Sequence, residues 1–243
     1  VSIISLFENN KMFKEIYVYI IDDGISDNTK KVFYDIFSKY HRNLVFIKST
    51  DFYDKSKFNN IGVYPKIIFA KLFLYNISNI DKIIYIDCDM IIKGSLYELW
   101  NTNIDNYLIA GVRMPTPIEY KKWFSTGNNN KYINSGFIFF NLQNWRLNNM
   151  ASKINKFIDD YKGYKYIDEN VICSICKEKI LILDPKYNLC GLMIAFTSNQ
   201  IKKLTNEQDY YSQKQLDEAK LNPVVIHFSN EMYERPWYKK SNH

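Results

Sequence analysis

The chain has 243 residues, enough for a full core in one large domain or at most two small ones. Hydrophobic residues make up 47% and charged residues 24%, an ordinary globular composition that excludes a disordered or fibrous chain. The formal charge of +6 reads either as a general Lys-rich composition or as a surface that tolerates an anionic partner such as a nucleotide or an acidic membrane face, and no aromatic-interleaved basic stripe points to nucleic acid.

No run of about 18 apolar residues reads as a membrane span, and no signal peptide is visible. Cys173 and Cys176 form a C-x-x-C inside an apolar helical pattern, with no second ligand pair for zinc, so they read as core thiols of a reducing cytoplasm.

Val1–Glu8 begins without a cap, as though entered in mid-element, and reads as a helix to about Asn10. Ile16–Ile21 is a strand ending in Asp22-Asp23-Gly24. Ser26 or Asp27 caps a helix over Lys30–His41, and Leu44–Lys48 is a second strand. After an irregular stretch, Pro65 opens a helix to about Tyr75. Ile83–Asp87 is a strand, Leu96–Trp100 a short helix, and Tyr107–Val112 another strand. Arg113–Tyr132 is a long irregular segment of the kind that is usually functional.

Phe137–Asn141 is a strongly apolar strand, and Trp145–Tyr161 an amphipathic helix. Asp168-Glu169-Asn170 caps a helix over Val171–Cys176, and Ile180–Leu183 is a strand. Pro185–Thr197 reads as a loop, Leu204–Leu221 as polar and partly helical, and Val224–Phe228 as a last buried strand. The alternation of strands and helices indicates one α/β domain with a mainly parallel sheet.

The stretch Ile83–Gly94 carries two acids, Asp87 and Asp89, in an otherwise apolar run. An unpaired buried carboxylate costs several kcal/mol or more, so the acids belong where the strand leaves the core. Residues two apart on an extended chain point the same way, so both carboxylates can face one hard cation. The pair reads either as a metal clamp for a diphosphate or as a strand end with two solvated acids, and D-x-D alone does not separate these.

Two further strand ends carry polar groups: Asn134-Ser135-Gly136 and His227. The imidazole reads as a satisfied strand-end histidine or as a third ligand, and two carboxylates with one imidazole suit Mn²⁺.

A family resemblance rests on ordered motifs over nearly the whole chain. They are Tyr64-Pro-Lys-Ile-Ile-Phe-Ala-Lys-Leu-Phe, Asp81-Lys-Ile-Ile-Tyr-Ile-Asp-Cys-Asp, Gly94-Ser-Leu-Tyr-Glu-Leu-Trp, Asn134-Ser-Gly-Phe-Ile-Phe-Phe-Asn-Leu-Gln-Asn-Trp-Arg, Asp168-Glu-Asn-Val-Ile, Lys186-Tyr-Asn and Ile226-His-Phe with Arg235-Pro-Trp. The chain resembles glycosyltransferase family 8, which holds glycogenin and bacterial transferases that build lipopolysaccharide outer cores. The resemblance implies a GT-A fold, a Rossmann-like mixed and mainly parallel sheet flanked by helices. It also implies retaining transfer of glucose or galactose from a UDP-sugar, with Mn²⁺ or, in its place, Mg²⁺.

The implied acceptor is a lipopolysaccharide-type or other cell-surface glycan, or a glycoprotein. The implied setting is the cytoplasm, peripheral at the inner membrane face, with pairing into homodimers. By position, Asp87, Asp89 and His227 match metal ligands. Lys71, Cys88, Asn134, Ser135, Gly136, Asn230 and Arg235 fall in the donor site. Asp168 matches a carboxylate that holds sugar hydroxyls, and Glu169 falls where many members have Gln facing the anomeric carbon.

The sequence departs from the family pattern in several places. Members begin with a nucleobase-contacting strand upstream of the position of Val1, and without that strand the sheet is expected to have an open seam. Arg113 stands where many members have an acid, Glu169-Asn170 replaces Gln-Asp, and Ser229-Asn230 lie where a Gly is usual. The alternative is a catalytically degenerate sugar-nucleotide-binding or scaffold protein. A nucleotidyl- or phosphotransferase would want a Gly-rich phosphate loop with Lys, which is absent.

Overall fold

The computed structural model describes residues 1–58, 64–124, 131–162, 167–229, 235 and 237. Helix α1 (Ser2–Asn9) precedes a parallel unit of β1 (Tyr17–Asp22), α2 (Asp27–Tyr40) and β2 (Asn43–Lys48). Ser26 caps α2 by accepting from the Thr29 amide, and His41 ends it in the left-handed conformation at φ 51. Phe7 of α1 packs edge-on against Phe37 of α2, with ring centroids 5.1 Å apart. The segment after Pro65 is helical as expected, but Lys66–Asn76 winds as a 3₁₀ helix. Such helices rarely exceed one turn; Phe69, Ala70, Leu72 and Leu74 are buried along it, and nothing in its sequence dictates the tighter winding.

Two more sheets follow. One has the order β3 (Lys82–Ile86), β6 (Ile133–Asn141), β5 (Ile109–Arg113) and β7 (Ile180–Ile182). The other has the order β4 (Met90–Ile92), β9 (Val225–His227) and β8 (Leu189–Cys190). The α/β architecture with mixed sheets holds, but parallel pairings do not predominate. Pairs β1/β2, β5/β7 and β8/β9 run parallel, whereas β3/β6, β5/β6 and β4/β9 run antiparallel. Two of the antiparallel pairs arise from β6, which inserts between β3 and β5, and the third from β9 against β4; strand direction leaves no trace in hydrophobic periodicity.

Among the described residues β3 pairs only with β6, and β1 and β2 form a separate sheet. Tyr19, Ile21 and Ile47 of that sheet pack on the same core as Ile83 and Tyr85 of β3.

Strand β6 is buried throughout, and from Phe137 to Phe140 its side chains alternate between two cores, a register irregularity against β5 separating this stretch from Ile133. Ile133, Ile138 and Phe140 face a cluster covered by α5 (Leu142–Leu147), α6 (Met150–Asp160) and α7 (Asp168–Cys176). Phe137 and Phe139 face the other, which α3 (Tyr97–Trp100), α8 (Gly191–Ala195), α9 (Ser198–Thr205) and α10 (Gln213–Leu221) cover.

Three expectations need correction. The helix expected over Trp145–Tyr161 is split by Asn149, left-handed at φ 48, into α5 and α6. The segment Arg113–Tyr132 contains a short helix, α4 (Ile118–Trp123). The expected loop Pro185–Thr197 contains β8 and α8. No helix among the described residues is long and apolar enough to cross a membrane.

Candidate active site

The chain leaves β3 at Ile86 and enters β4 at Met90, so Asp87-Cys88-Asp89 forms the turn where it passes from one sheet to the other. Both sides of that turn are tied down. The Asp87 amide donates to the Gly136 carbonyl at 2.8 Å, and the Phe228 amide donates to the Asp89 carbonyl at 2.9 Å. The Ser2 hydroxyl reaches the carbonyls of Cys88 at 2.8 Å and Met90 at 2.6 Å. Because β4 pairs with β9 in the register Met90↔His227, the imidazole lands beside the acids. Donor atoms of Asp87, Asp89 and His227 all lie within 4.8 Å of one another.

Gly136 keeps this cluster open: a Cβ there would stand 2.6 Å from His227 Cε1, 2.8 Å from Met90 Cε and 2.9 Å from Asp87 Oδ2. Two hard carboxylate donors and one imidazole around a cradle that a methyl would fill fit a divalent ion such as Mn²⁺ or Mg²⁺.

Positive groups compensate the acids. Lys71 is not the exposed helical lysine that a polar residue on a helix most often is. It is buried, and its Nζ lies 2.7 Å from Asp168 and 3.7 Å from Asp87 and donates to the Ser135 carbonyl at 3.0 Å. Burial opposes its charge, but Asp168 and Asp87 outweigh it and hold its pKa well above the usual lysine value.

Tyr85 donates to Asp87 Oδ1 at 2.6 Å. Burial pushes the Asp87 carboxyl above its ordinary value, with Lys71 and Tyr85 pulling the other way, although the side chain is 33% exposed. Burial also acts to raise Asp89, but His227 at 3.3 Å and Arg235 at 2.6 Å prevail and hold that carboxyl below its ordinary value.

The remaining candidates meet along the start of β6 and the first turn of α7. Asp168 and Glu169 occupy the first turn of α7, where the helix dipole favours carboxylates, rather than capping a helix that starts after them. Both are buried. Glu169 Oε2 accepts from the Ser135 amide at 3.1 Å and lies 3.5 Å from Asn134 Nδ2. Asn134 Oδ1 accepts from the Gly136 amide at 3.0 Å.

Lys71, Asp87, Asp89, Asn134, Ser135, Gly136, Asp168, Glu169, His227 and Arg235 thus line one continuous region, and the exposed Cys88 borders it. Asn230 lies outside the described residues. Arg113 is committed elsewhere: its guanidinium binds Asp209, with Nη2 2.6 Å from the carbonyl, and lies 3.7 Å from Glu207. Glu207 also accepts from the buried Lys121 at 2.5 Å.

Two contacts escaped the sequence. Asn188 is buried and touches both Asn134 and His227, at 2.8 and 3.1 Å. Its signal was the Lys186-Tyr-Asn motif, which carried no role. Tyr120 of α4, half-exposed, donates to Asn170 Oδ1 at 3.3 Å, beside Glu169.

Open α/β sheets bind ligands at the carboxyl ends of their strands, the place of the Asp87-Cys88-Asp89 turn, and the fold is that of GT-A glycosyltransferases. Solved structures share this fold. The galactosyltransferase LgtC, in complex with donor and acceptor sugar analogues, superposes with a TM-score of 0.76 at 19% identity, covering 98% of this chain and 84% of that one. The bifunctional glycosyltransferase WbbM superposes with a TM-score of 0.76 at 16% identity, covering 95% of this chain and 43% of that one. The chain belongs to glycosyl transferase family 8, whose model matches residues 1–241.

Relatives include a putative glycosyltransferase of Haemophilus influenzae, 29% identical over 100% of this chain and 70% of its own length. General stress protein A of Bacillus subtilis is 26% identical over 99% of this chain and 82% of its own length. A lipopolysaccharide 1,2-glucosyltransferase of Escherichia coli is 25% identical over 100% and 70%.

Proposed function

We propose that this glycosyltransferase moves a glucose or galactose unit from a UDP-sugar to a glycan acceptor, with retention of configuration and dependence on Mn²⁺. The observation that carries the reading is the convergence of Asp87, Asp89 and His227 within 4.8 Å beside a glycine whose Cβ would fill the cradle. Those three residues would hold the ion, which supplies Lewis-acid stabilisation of the departing diphosphate when bound.

Arg235 stands at the same end, its Nη2 already on Asp89, and supplies a further positive charge for the phosphates. The hydroxyl of Ser229, two residues after His227, is buried without a hydrogen-bond partner among the described residues and offers a donor to the same group. Lys71 places one buried cation between Asp168 and Asp87 and offsets their charge at close quarters.

On the sugar side, Asn134 and Ser135 orient the ring, Asp168 takes its hydroxyls, and Glu169 faces the anomeric carbon. Glu169 is held by the Ser135 amide, and a carboxylate so bound is a weaker nucleophile. We therefore favour a front-face route. The bond from the anomeric carbon to the diphosphate oxygen breaks, the acceptor oxygen bonds on the same face, and a diphosphate oxygen takes the acceptor proton. A glycosyl–Glu169 adduct trapped by mass spectrometry would overturn this route.

The acceptor, a lipopolysaccharide-type or other cell-surface glycan, approaches over α4, where Tyr120 stands next to Asn170 and Glu169. The charge of +6 suits work at an anionic inner membrane face. A thermal shift tests the reading: UDP with Mn²⁺ should raise Tm more than UDP with chelator, through preferential binding to the folded state. No shift with any nucleotide would contradict it.

A further inference from the structure

Resting on that reading, we infer that Asn188 is a positioning residue that joins the two ends of the donor site. It fixes the tautomer of His227 with its carbonyl and the orientation of Asn134 with its amide nitrogen.

One group in this chain of contacts has a polarity that admits no choice. The Gly136 backbone amide donates, and it points at the Asn134 side chain at 3.0 Å, so the atom there is the oxygen, Oδ1. The Asn188 side chain meets that same oxygen at 2.8 Å and must present its NH₂. Its own oxygen is then turned to His227 Nδ1, 3.1 Å away. An amide oxygen only accepts, so Nδ1 carries the proton. In the neutral ring this leaves the lone pair on Nε2, the nitrogen that faces Asp89 at 3.3 Å and the ion cradle.

The polarity thus runs without ambiguity from a backbone N–H to the ligand atom. At the other end Asn134 Nδ2 is left facing Glu169 Oε2 at 3.5 Å. Asn188 is 1% exposed, so no water competes for its two bonds. It follows the 3₁₀ turn Pro185–Tyr187, whose Pro185 carbonyl accepts its backbone amide at 3.2 Å.

Two substitutions separate the bonds. Asn188→Ala removes both. Asn188→Asp keeps an acceptor for His227 Nδ1 but turns a second acceptor on Asn134 Oδ1. Mn²⁺ affinity is read by electron paramagnetic resonance of the free ion at saturating UDP, and UDP release from UDP-glucose or UDP-galactose is read in parallel. Far-UV circular dichroism checks folding.

Asn188→Ala should weaken Mn²⁺ binding about 10- to 100-fold, the usual effect of losing a group that orients a metal-binding histidine. Asn188→Asp should hold Mn²⁺ within about threefold of wild type while sugar release falls at least about tenfold, a split that general destabilisation does not produce. Folded Asn188→Ala that binds Mn²⁺ as wild type does overturns the inference. If wild type itself binds no Mn²⁺ with UDP, it is the functional reading that fails.

One measurement needs no variant at position 188. Long-range ¹H–¹⁵N spectra of wild type with Mg²⁺ and UDP should show His227 protonated at Nδ1 only. Protonation at Nε2 overturns the inference.

Discussion

The substitution Gly136→Ala isolates the geometric requirement of the site. Gly136 does not have a positive φ, so alanine meets no backbone obstacle there. The added methyl would sit 2.6 Å from His227 Cε1, 2.8 Å from Met90 Cε and 2.9 Å from Asp87 Oδ2, where ordinary carbon contacts are about 3.5–4.0 Å. Relief requires shifts of about 0.5–1 Å, and two of the three neighbours are candidate ion ligands. Overpacking of this kind costs about 1–3 kcal/mol. Taken from ion binding at about 1.4 kcal/mol per tenfold, that is a loss of about 5- to 150-fold in Mn²⁺ affinity.

Gly111→Ala is the control. Its Cβ meets Ile133 Cδ1 at 2.5 Å, a flexible side-chain end in the core, so Tm should fall while ion binding stays. The assay is isothermal titration of Mn²⁺ into protein with saturating UDP. If Gly136→Ala binds Mn²⁺ within about twofold of wild type, the cradle is not the ion site.

Lys71→Met leaves Asp87 and Asp168 without their shared cation. Breaking a buried ion pair costs about 3–5 kcal/mol, so denaturant titration should show a loss of that order together with lost turnover. An unchanged denaturation midpoint would remove Lys71 from its organising place. Native alkylation by N-ethylmaleimide should modify Cys88 first, because Cys173, Cys176 and Cys190 are buried. Although Cys88 is exposed, the protein packed around its thiol, and then Asp89 and Asp87, push the thiol up, so its reaction should be slow at neutral pH, quicken with alkali, and slow further with Mn²⁺ and UDP. Mass spectrometry finding Cys173 labelled as fast as Cys88 would contradict the packing.

Much of this arrangement was legible because local signals and site chemistry coincide. The apolar run before Asp87, the Ser26 cap of α2 and the buried strand ending at His227 each announce themselves in a few residues. What stayed hidden depends on partners distant in sequence. Lys71 looks like any helical lysine until α7 brings Asp168 to 2.7 Å. Asn188 lies in an irregular segment, and its meaning appears only when β8 and β9 pair and set it between His227 and Asn134. Arg113 follows an apolar strand, and the groups that claim it, Asp209 and Glu207, are nearly a hundred positions away. The antiparallel insertion of β6 is likewise a tertiary decision, since β6 reads the same in either direction.

Metal-dependent transfer at Asp89 is decided by nucleotide release from a panel of UDP-sugars, compared between wild type and Asp89→Asn with Mn²⁺ or chelator. Wild type should release UDP from UDP-glucose or UDP-galactose in a Mn²⁺-dependent way, and Asp89→Asn should lose that release at unchanged Tm. Release that persists in Asp89→Asn or with chelator, or wild type inert toward every UDP-sugar, would contradict it.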